Sequence, residues 1–187
     1  MKILIYGAKG WIGKQFINII KRRNIEYIIG ISRVDDTDNL LSEININKPT
    51  HIVSFIGRTH GIVNGKKYST IDYLEQKGTI LDNVRDNLFA PIYLSRICEN
   101  KNIHFTYLGS GCIFKYDDNH PFGEEVKGFK ETDHPNFFGS SYSIVKGFTD
   151  RLIQLNKNTL NLRIRMPINC SPNPRNFITK ITSIEYI

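Results

Sequence analysis

The sequence predicts an α/β fold, a doubly wound and mostly parallel sheet with helices on both faces. Three observations predict it. Short apolar runs alternate with helix-period segments along the whole chain. A glycine-rich turn, Gly7-Ala8-Lys9-Gly10-Trp11-Ile12-Gly13, follows the first run. No repeat or low-complexity linker interrupts the alternation.

The elements follow in order. Lys2 to Tyr6 is apolar and stops at glycine, as a buried strand does. Lys14 to Arg23 places Phe16, Ile17, Ile19 and Ile20 at helical spacing, and Lys21-Arg22-Arg23 suits the negative end of a helix dipole. Glu26 to Ile31 reads as a second strand, Asn39 to Asn47 as a helix and His51 to Ile56 as a third strand. Ile80 to Asn100 is long and helix-like, with a kink or break expected at Pro91. Ile103 to Leu108 is a fourth strand, Tyr142 to Asn156 a helix and Leu160 to Met166 a fifth strand. Arg58 to Thr70 and Lys115 to Ser141 read as loops long enough to cover a site.

A chain of 187 residues suffices for one domain with a real core. Hydrophobic residues at 40% and charged residues at 23% exclude a disordered or fibrous chain. No apolar run approaches membrane-spanning length, and the N-terminus enters a strand directly rather than a signal peptide. Three scattered cysteines suit a reducing cytoplasm better than a disulfide framework. The five histidines show no metal-ligand spacing, so no metal is expected. The net charge of +7 points to an acidic ligand or a solvated basic surface. No basic stripe with interleaved aromatics points to nucleic acid.

Gly7, Gly10 and Gly13 sit between the first strand and first helix. There glycine permits a tight turn, close approach to a pyrophosphate and close helix–sheet packing, and the helix N-terminus offers free N–H groups. That makes the sheet Rossmann-type. Arg33 stands just past the second strand, where an arginine accommodates a 2′-phosphate, so NADPH is the expected cofactor; a loop ion pair with Asp35 or Asp36 is the other reading of Arg33. Tyr142 and Lys146 are one helical turn apart on one face, where a fixed ammonium would favour the phenolate.

The glycine turn with Tyr-x-x-x-Lys resembles the short-chain dehydrogenase/reductase superfamily, in its extended form, over nearly the whole chain. The resemblance implies Tyr142 as general acid/base, Lys146 lowering its pKa and holding the nicotinamide ribose, Ser110 on the substrate carbonyl and Asn87 as a structural asparagine. It implies a cofactor set of Gly7, Lys9, Gly10, Trp11, Ile12, Gly13, Arg33, Gly57, Tyr142, Lys146 and Pro167. Gly111-Cys112-Ile113-Phe114, Gly128-Phe129-Lys130-Glu131, Pro135-Asn136-Phe137-Phe138, Arg163 to Ile168 and Asn173 to Ile181 narrow it. These strings look like the bifunctional nucleotide-rhamnose synthases, 3,5-epimerase/4-reductases of UDP- or dTDP-4-keto-6-deoxyglucose, which are similar to dTDP-4-dehydrorhamnose reductases.

In that subfamily a cysteine and a lysine are the epimerising pair, which here implies Cys112 and Lys180. Ser110, Gly111, Cys112, Arg175 and Asn176 are then the substrate contacts. Arg165 is open between a core ion and a ligand contact, and His60 between a proton relay and a loop histidine. Residues 1–165 would form the NADP-binding domain with the Ser/Tyr/Lys site. Residues 166–187 would begin a substrate lobe, cut short relative to the family. Family dimers pair through the helices from Ile80 and from Tyr142, the expectation for any homodimer here. The competing readings are a 4-reductase alone, or a non-catalytic NADP(H)-binding regulatory module; retention of Ser110, Cys112, Tyr142 and Lys146 favours an enzyme.

Overall fold

A computed structural model describes residues 1–123 and 127–182. Strand β1 (Lys2–Tyr6) enters helix α1 (Trp11–Arg22), then β2 (Glu26–Ile29), α2 (Thr37–Asn47) and β3 (His51–Ser54). A hairpin, β4 (Gly61–Val63) and β5 (Lys66–Tyr68), precedes a 3₁₀ turn at Ile71–Glu75. Then come α3 (Ile80–Val84), a π-helical turn at Arg85–Phe89, α4 (Ala90–Asn100), β6 (His104–Ser110), α5 (Ser141–Ile153), β7 (Thr159–Ile164) and α6 (Phe177–Thr182).

Five parallel strands form one sheet in the order β2-β1-β3-β6-β7. The winding reverses between β1 and β3, so the loops leaving those strands diverge and open a crevice at their carboxyl ends. Alternation along the strands sorts the core. Ile3, Ile5 and Val53 pack against Ile17 and Ile20 of α1. Leu4, Tyr6, Ile52, Phe105 and Tyr107 face the opposite way, onto residues of α2, α4 and α5. Helices therefore cover both faces, as the sequence predicts. No helix among the described residues is long and apolar enough to cross a membrane.

Two expectations need correction. Arg58 to Thr70 is not a plain loop: the β4–β5 hairpin turns on Asn64 and Gly65, with φ of 49° and 77°. Both central residues at positive φ is what a type I′ turn requires, and the Asn-Gly pair was its sequence signal. Of the kink or break expected at Pro91, the break is absent, since α3, the π turn and α4 are continuous. The register slackens into the π turn ahead of it, which admits the proline ring. Pro91 has no N–H for the carbonyl of Asn87, four residues back; Thr149 Oγ1 of α5 donates to that oxygen instead, at 2.5 Å. The bond ties the π turn to α5.

Of the expected second unit, 166–187, residues 183–187 lie outside the described residues. The part up to Thr182 leaves the sheet after Ile164 and returns across the crevice.

Candidate active site

β1 delivers the chain to Gly7, whose φ is +73°; a Cβ there would lie 2.6 Å from the Phe55 carbonyl carbon. A Cβ on Gly13 would lie 2.6 Å from the Gly7 oxygen. Glycine is therefore required where α1 meets β1 and β3. The N-cap residue Gly10 gives no side-chain cap, and no acidic residue occupies the first turn of α1. That helix end opens on a cavity of about 520 Å³, together with Lys9, Trp11, Ile12, Gly57 and Pro167. An uncapped helix terminus in a glycine cradle fits the diphosphate of a dinucleotide.

The same cavity is lined by Ser110, Cys112, Tyr142, Lys146, Arg165, Arg175 and Lys180. Ser110 is the last residue of β6, and its Oγ accepts the Cys112 N–H at 3.0 Å. That bond turns the chain so that Cys112 reaches the cavity beyond the strand end. Ser143 Oγ donates to the Cys112 carbonyl at 2.8 Å, pinning the turn to α5. Ser140 caps α5, accepting from Ser143 N at 3.0 Å. Glu75 accepts from Ser141 N at 3.1 Å, a carboxylate at the positive helix end.

Tyr142 and Lys146 project from one face of α5 at 7% and 5% exposure. Burial pushes the Tyr142 hydroxyl up to about 12, against the pull of Ser110, and pushes Lys146 down to about 7, against the pull of Asp150. The expected lowering of the tyrosine by the lysine is thus not what the structure shows. Desolvation outweighs it, and Lys146 Nζ stands 6.0 Å from the Tyr142 ring centroid while bonding to the Tyr107 hydroxyl. Tyr142 rests as a neutral phenol, the form that donates a proton.

The lysine shift has a stability consequence. With a folded pKa near 7 and an ordinary value of 10.5, the unfolded state binds more protons between those limits. Stability should therefore rise as pH climbs from 7 to 8, below the range where Cys98, raised from 9.0, and Tyr142, raised from 10.0, oppose it. Urea unfolding of the wild type should show that rise and Lys146→Met should flatten it; parallel profiles would contradict the burial of the ammonium.

Asn87 accepts the Arg58 N–H at 3.0 Å and donates to the Arg58 carbonyl and to Asn83 Oδ1, both at 2.9 Å. It holds the β3 exit along the cavity floor. Arg175 Nη2 donates to the His60 ring at 3.1 Å, and burial, aided by Arg175, lowers the His60 pKa. His60 is thus held neutral beside a cation.

Three expected contacts fall elsewhere. Asn176 is buried and donates to Asn169 O, Asn169 Oδ1 and Ser171 O, so its amide staples its own loop. Gly111 extends the sheet, its N–H on Ile164 O at 2.9 Å, and borders a separate groove along β7. Arg33 lies outside the cavity, exposed and bidentate to Asp35 at 2.9 and 2.8 Å. Arg163 is a core ion on Asp150, whereas Arg165 lines the cavity. Sequence reasoning missed Asp150, although it continues the Tyr142–Lys146 spacing by one more turn.

The chain matches the RmlD substrate binding domain over residues 1–183. It is 54% identical over 188 residues to uncharacterized protein L780 of Acanthamoeba polyphaga mimivirus, covering 100% of this chain and 63% of that protein. The crystal structure of the L780 UDP-rhamnose synthase from Acanthamoeba polyphaga mimivirus, 54% identical, superposes with a TM-score of 0.89 over 98% of this chain and 62% of that one. A bifunctional dTDP-4-dehydrorhamnose 3,5-epimerase/dTDP-4-dehydrorhamnose reductase of Arabidopsis thaliana is 37% identical over 185 residues, 98% of this chain and 58% of the relative. A dTDP-4-dehydrorhamnose reductase from Clostridium acetobutylicum, at 22% identity and a TM-score of 0.68 over 97% of this chain and 58% of that one, shares the fold. The chain thus spans less than two thirds of these relatives' length.

Proposed function

The chain belongs to the RmlD substrate-binding domain family, of extended short-chain dehydrogenase/reductase type, and on that premise we propose that it carries the catalytic site of an NADPH-dependent 3,5-epimerase/4-reductase. The substrate would be UDP- or dTDP-4-keto-6-deoxyglucose and the product the nucleotide-linked L-rhamnose. One observation carries the reading: Ser110, Cys112, Tyr142, Lys146 and Lys180 line a single cavity whose other end is the glycine cradle.

The residues divide the chemistry. Cys112 and Lys180 act as an acid–base pair, one taking the proton from the carbon beside the C4 ketone and the other returning a proton to the opposite face. Ser110 and Tyr142 donate hydrogen bonds to the enolate oxygen formed in between. Bound NADPH supplies the hydride that reduces C4. Tyr142, kept protonated by burial, gives its proton to O4 in that step. Lys146 holds the nicotinamide ribose, and Arg175 meets the substrate diphosphate, as a guanidinium suits phosphate oxygens. Residues 1–165 serve as the cofactor unit, and the stretch from Met166 begins the substrate lobe. A homodimer would pair through α4 and α5.

Incubation with each 4-keto-6-deoxyglucose nucleotide and NADPH, with the product sugar identified, tests the proposal. L-rhamnose is expected; reduction to a sugar of unchanged C3 and C5 configuration would leave a 4-reductase alone. Cys112→Ser should cut deuterium uptake at C3 or C5 from heavy water by about a hundredfold or more. Unimpaired exchange would remove the thiol from the mechanism. Arg33→Ala should weaken NADPH about tenfold while sparing NADH, the exposed guanidinium exchanging Asp35 for the 2′-phosphate that only the former carries. Equal losses would contradict that contact.

A further inference from the structure

We propose that Tyr107 is a positioning residue for Lys146: its phenol anchors the lysine nitrogen at the inner wall of the cavity. This rests on the reading that Lys146 meets the nicotinamide cofactor. Tyr107 lies on β6 at 1% exposure, with the ring packed in the core. Lys146 Nζ donates to its hydroxyl and sits 4.6 Å from its ring centroid. The other candidates for the ammonium are engaged elsewhere. Asp150, one turn further along α5, accepts from Arg163, Asn161 and Gln154. Asn87, which lines the cavity, has its amide committed to the Arg58 peptide and Asn83. Tyr142 of α5 and Cys112 of the turn after β6 complete the titratable surroundings.

The chemistry of a phenol suits the task. It accepts from an ammonium and donates to an amine, so it partners a buried lysine in either protonation state. An ammonium has three N–H groups; with one held by Tyr107, two are left for a ribose diol and the Tyr142 oxygen. Without the anchor, a long flexible side chain must be ordered by the ligand itself, and affinity falls.

Trp11, the chain's one tryptophan, lines the cavity, and its fluorescence is the probe for NADPH binding. Titrations from pH 6 to 9 would compare the wild type with Tyr107→Phe, Lys146→Met and the double variant. Tyr107→Phe keeps the ring and should weaken NADPH about tenfold. The double variant should bind no worse than Lys146→Met, because both changes remove one interaction. The affinity of the wild type should fall as pH rises through the lysine's titration. The bond to the charged form is the stronger one, so its loss in Tyr107→Phe should move that midpoint to lower pH. Wild-type affinity and midpoint in Tyr107→Phe, or losses that add fully in the double variant, would overturn the proposal. An unmoved midpoint with only a lowered melting temperature would do the same, marking Tyr107 as core packing alone. If Lys146→Met binds NADPH normally, the lysine does not meet the cofactor, and the inference goes with that reading.

Discussion

Tyr142→Phe is expected to lower NADPH oxidation with a 4-keto-6-deoxy sugar nucleotide by about a hundred- to ten-thousandfold. The change removes one oxygen and leaves the ring that packs with Tyr73 and Leu74. Fold and cofactor affinity should therefore survive, and Trp11 fluorescence should report NADPH binding within a few-fold of wild type. The lost group is a neutral donor hydrogen-bonded with Ser110, beside the turn that holds Cys112. Ser110 keeps its own hydroxyl donor but cannot supply the second one, and Lys146 Nζ is held by Tyr107. Epimerisation should fall with reduction, because in the proposed mechanism the same hydroxyl would hold the enolate oxygen. Reduction at the wild-type rate would end the assignment of Tyr142 as the acid.

Asp150→Ala is expected to cost about 3–5 kcal/mol of stability, the usual loss when one partner of a buried ion pair is removed. Asp150 is 3% exposed and takes Arg163 through both oxygens at 2.8 Å, with Asn161 at 2.8 Å and Gln154 at 3.1 Å. Arg163 in turn donates to the carbonyls of Lys130 and Asp133 at 3.1 and 3.0 Å. It also lies 5.1 Å from the centroid of the Phe114 ring, which stacks on Phe129. The carboxylate is thus the root of a network that fixes part of the long segment between β6 and α5. Denaturant unfolding measures the loss. The double change Asp150→Ala with Arg163→Met should be milder than Asp150→Ala alone, since it leaves no stranded guanidinium. A single-variant loss below about 1 kcal/mol, the range of an exposed pair, would show that the pair is not dry.

Much of the fold was legible because it depends on near neighbours. The β1 apolar run, the glycine turn and the period of α1 each reflect interactions within a few residues. The β4–β5 hairpin was equally local, and Asn64-Gly65 announced it. The π turn was less so. Pro91 signals trouble for a helix, but whether the chain breaks or slackens depends on Thr149 being at hand from another helix. The site shows the same division. Spacing placed Tyr142 and Lys146 on one face, whereas Asn176 looked like a ligand contact and proved to be a staple for its own loop. Arg33 closed on Asp35, the other reading its neighbours allowed.

The sequence by itself determined where the backbone can turn sharply, which strands are buried, and which chemically active side chains exist at helical spacing. Those properties follow from covalent geometry and short-range periodicity. Only the tertiary structure decided the state of those side chains. Tyr107 lies 39 residues from Lys146 in the chain and is its hydrogen-bond partner in space. Burial by elements distant in sequence, not the i,i+4 neighbour, keeps Tyr142 protonated and brings Lys146 to about 7. Desolvation and partner choice are sums over everything packed nearby, and that sum exists only once the chain has folded.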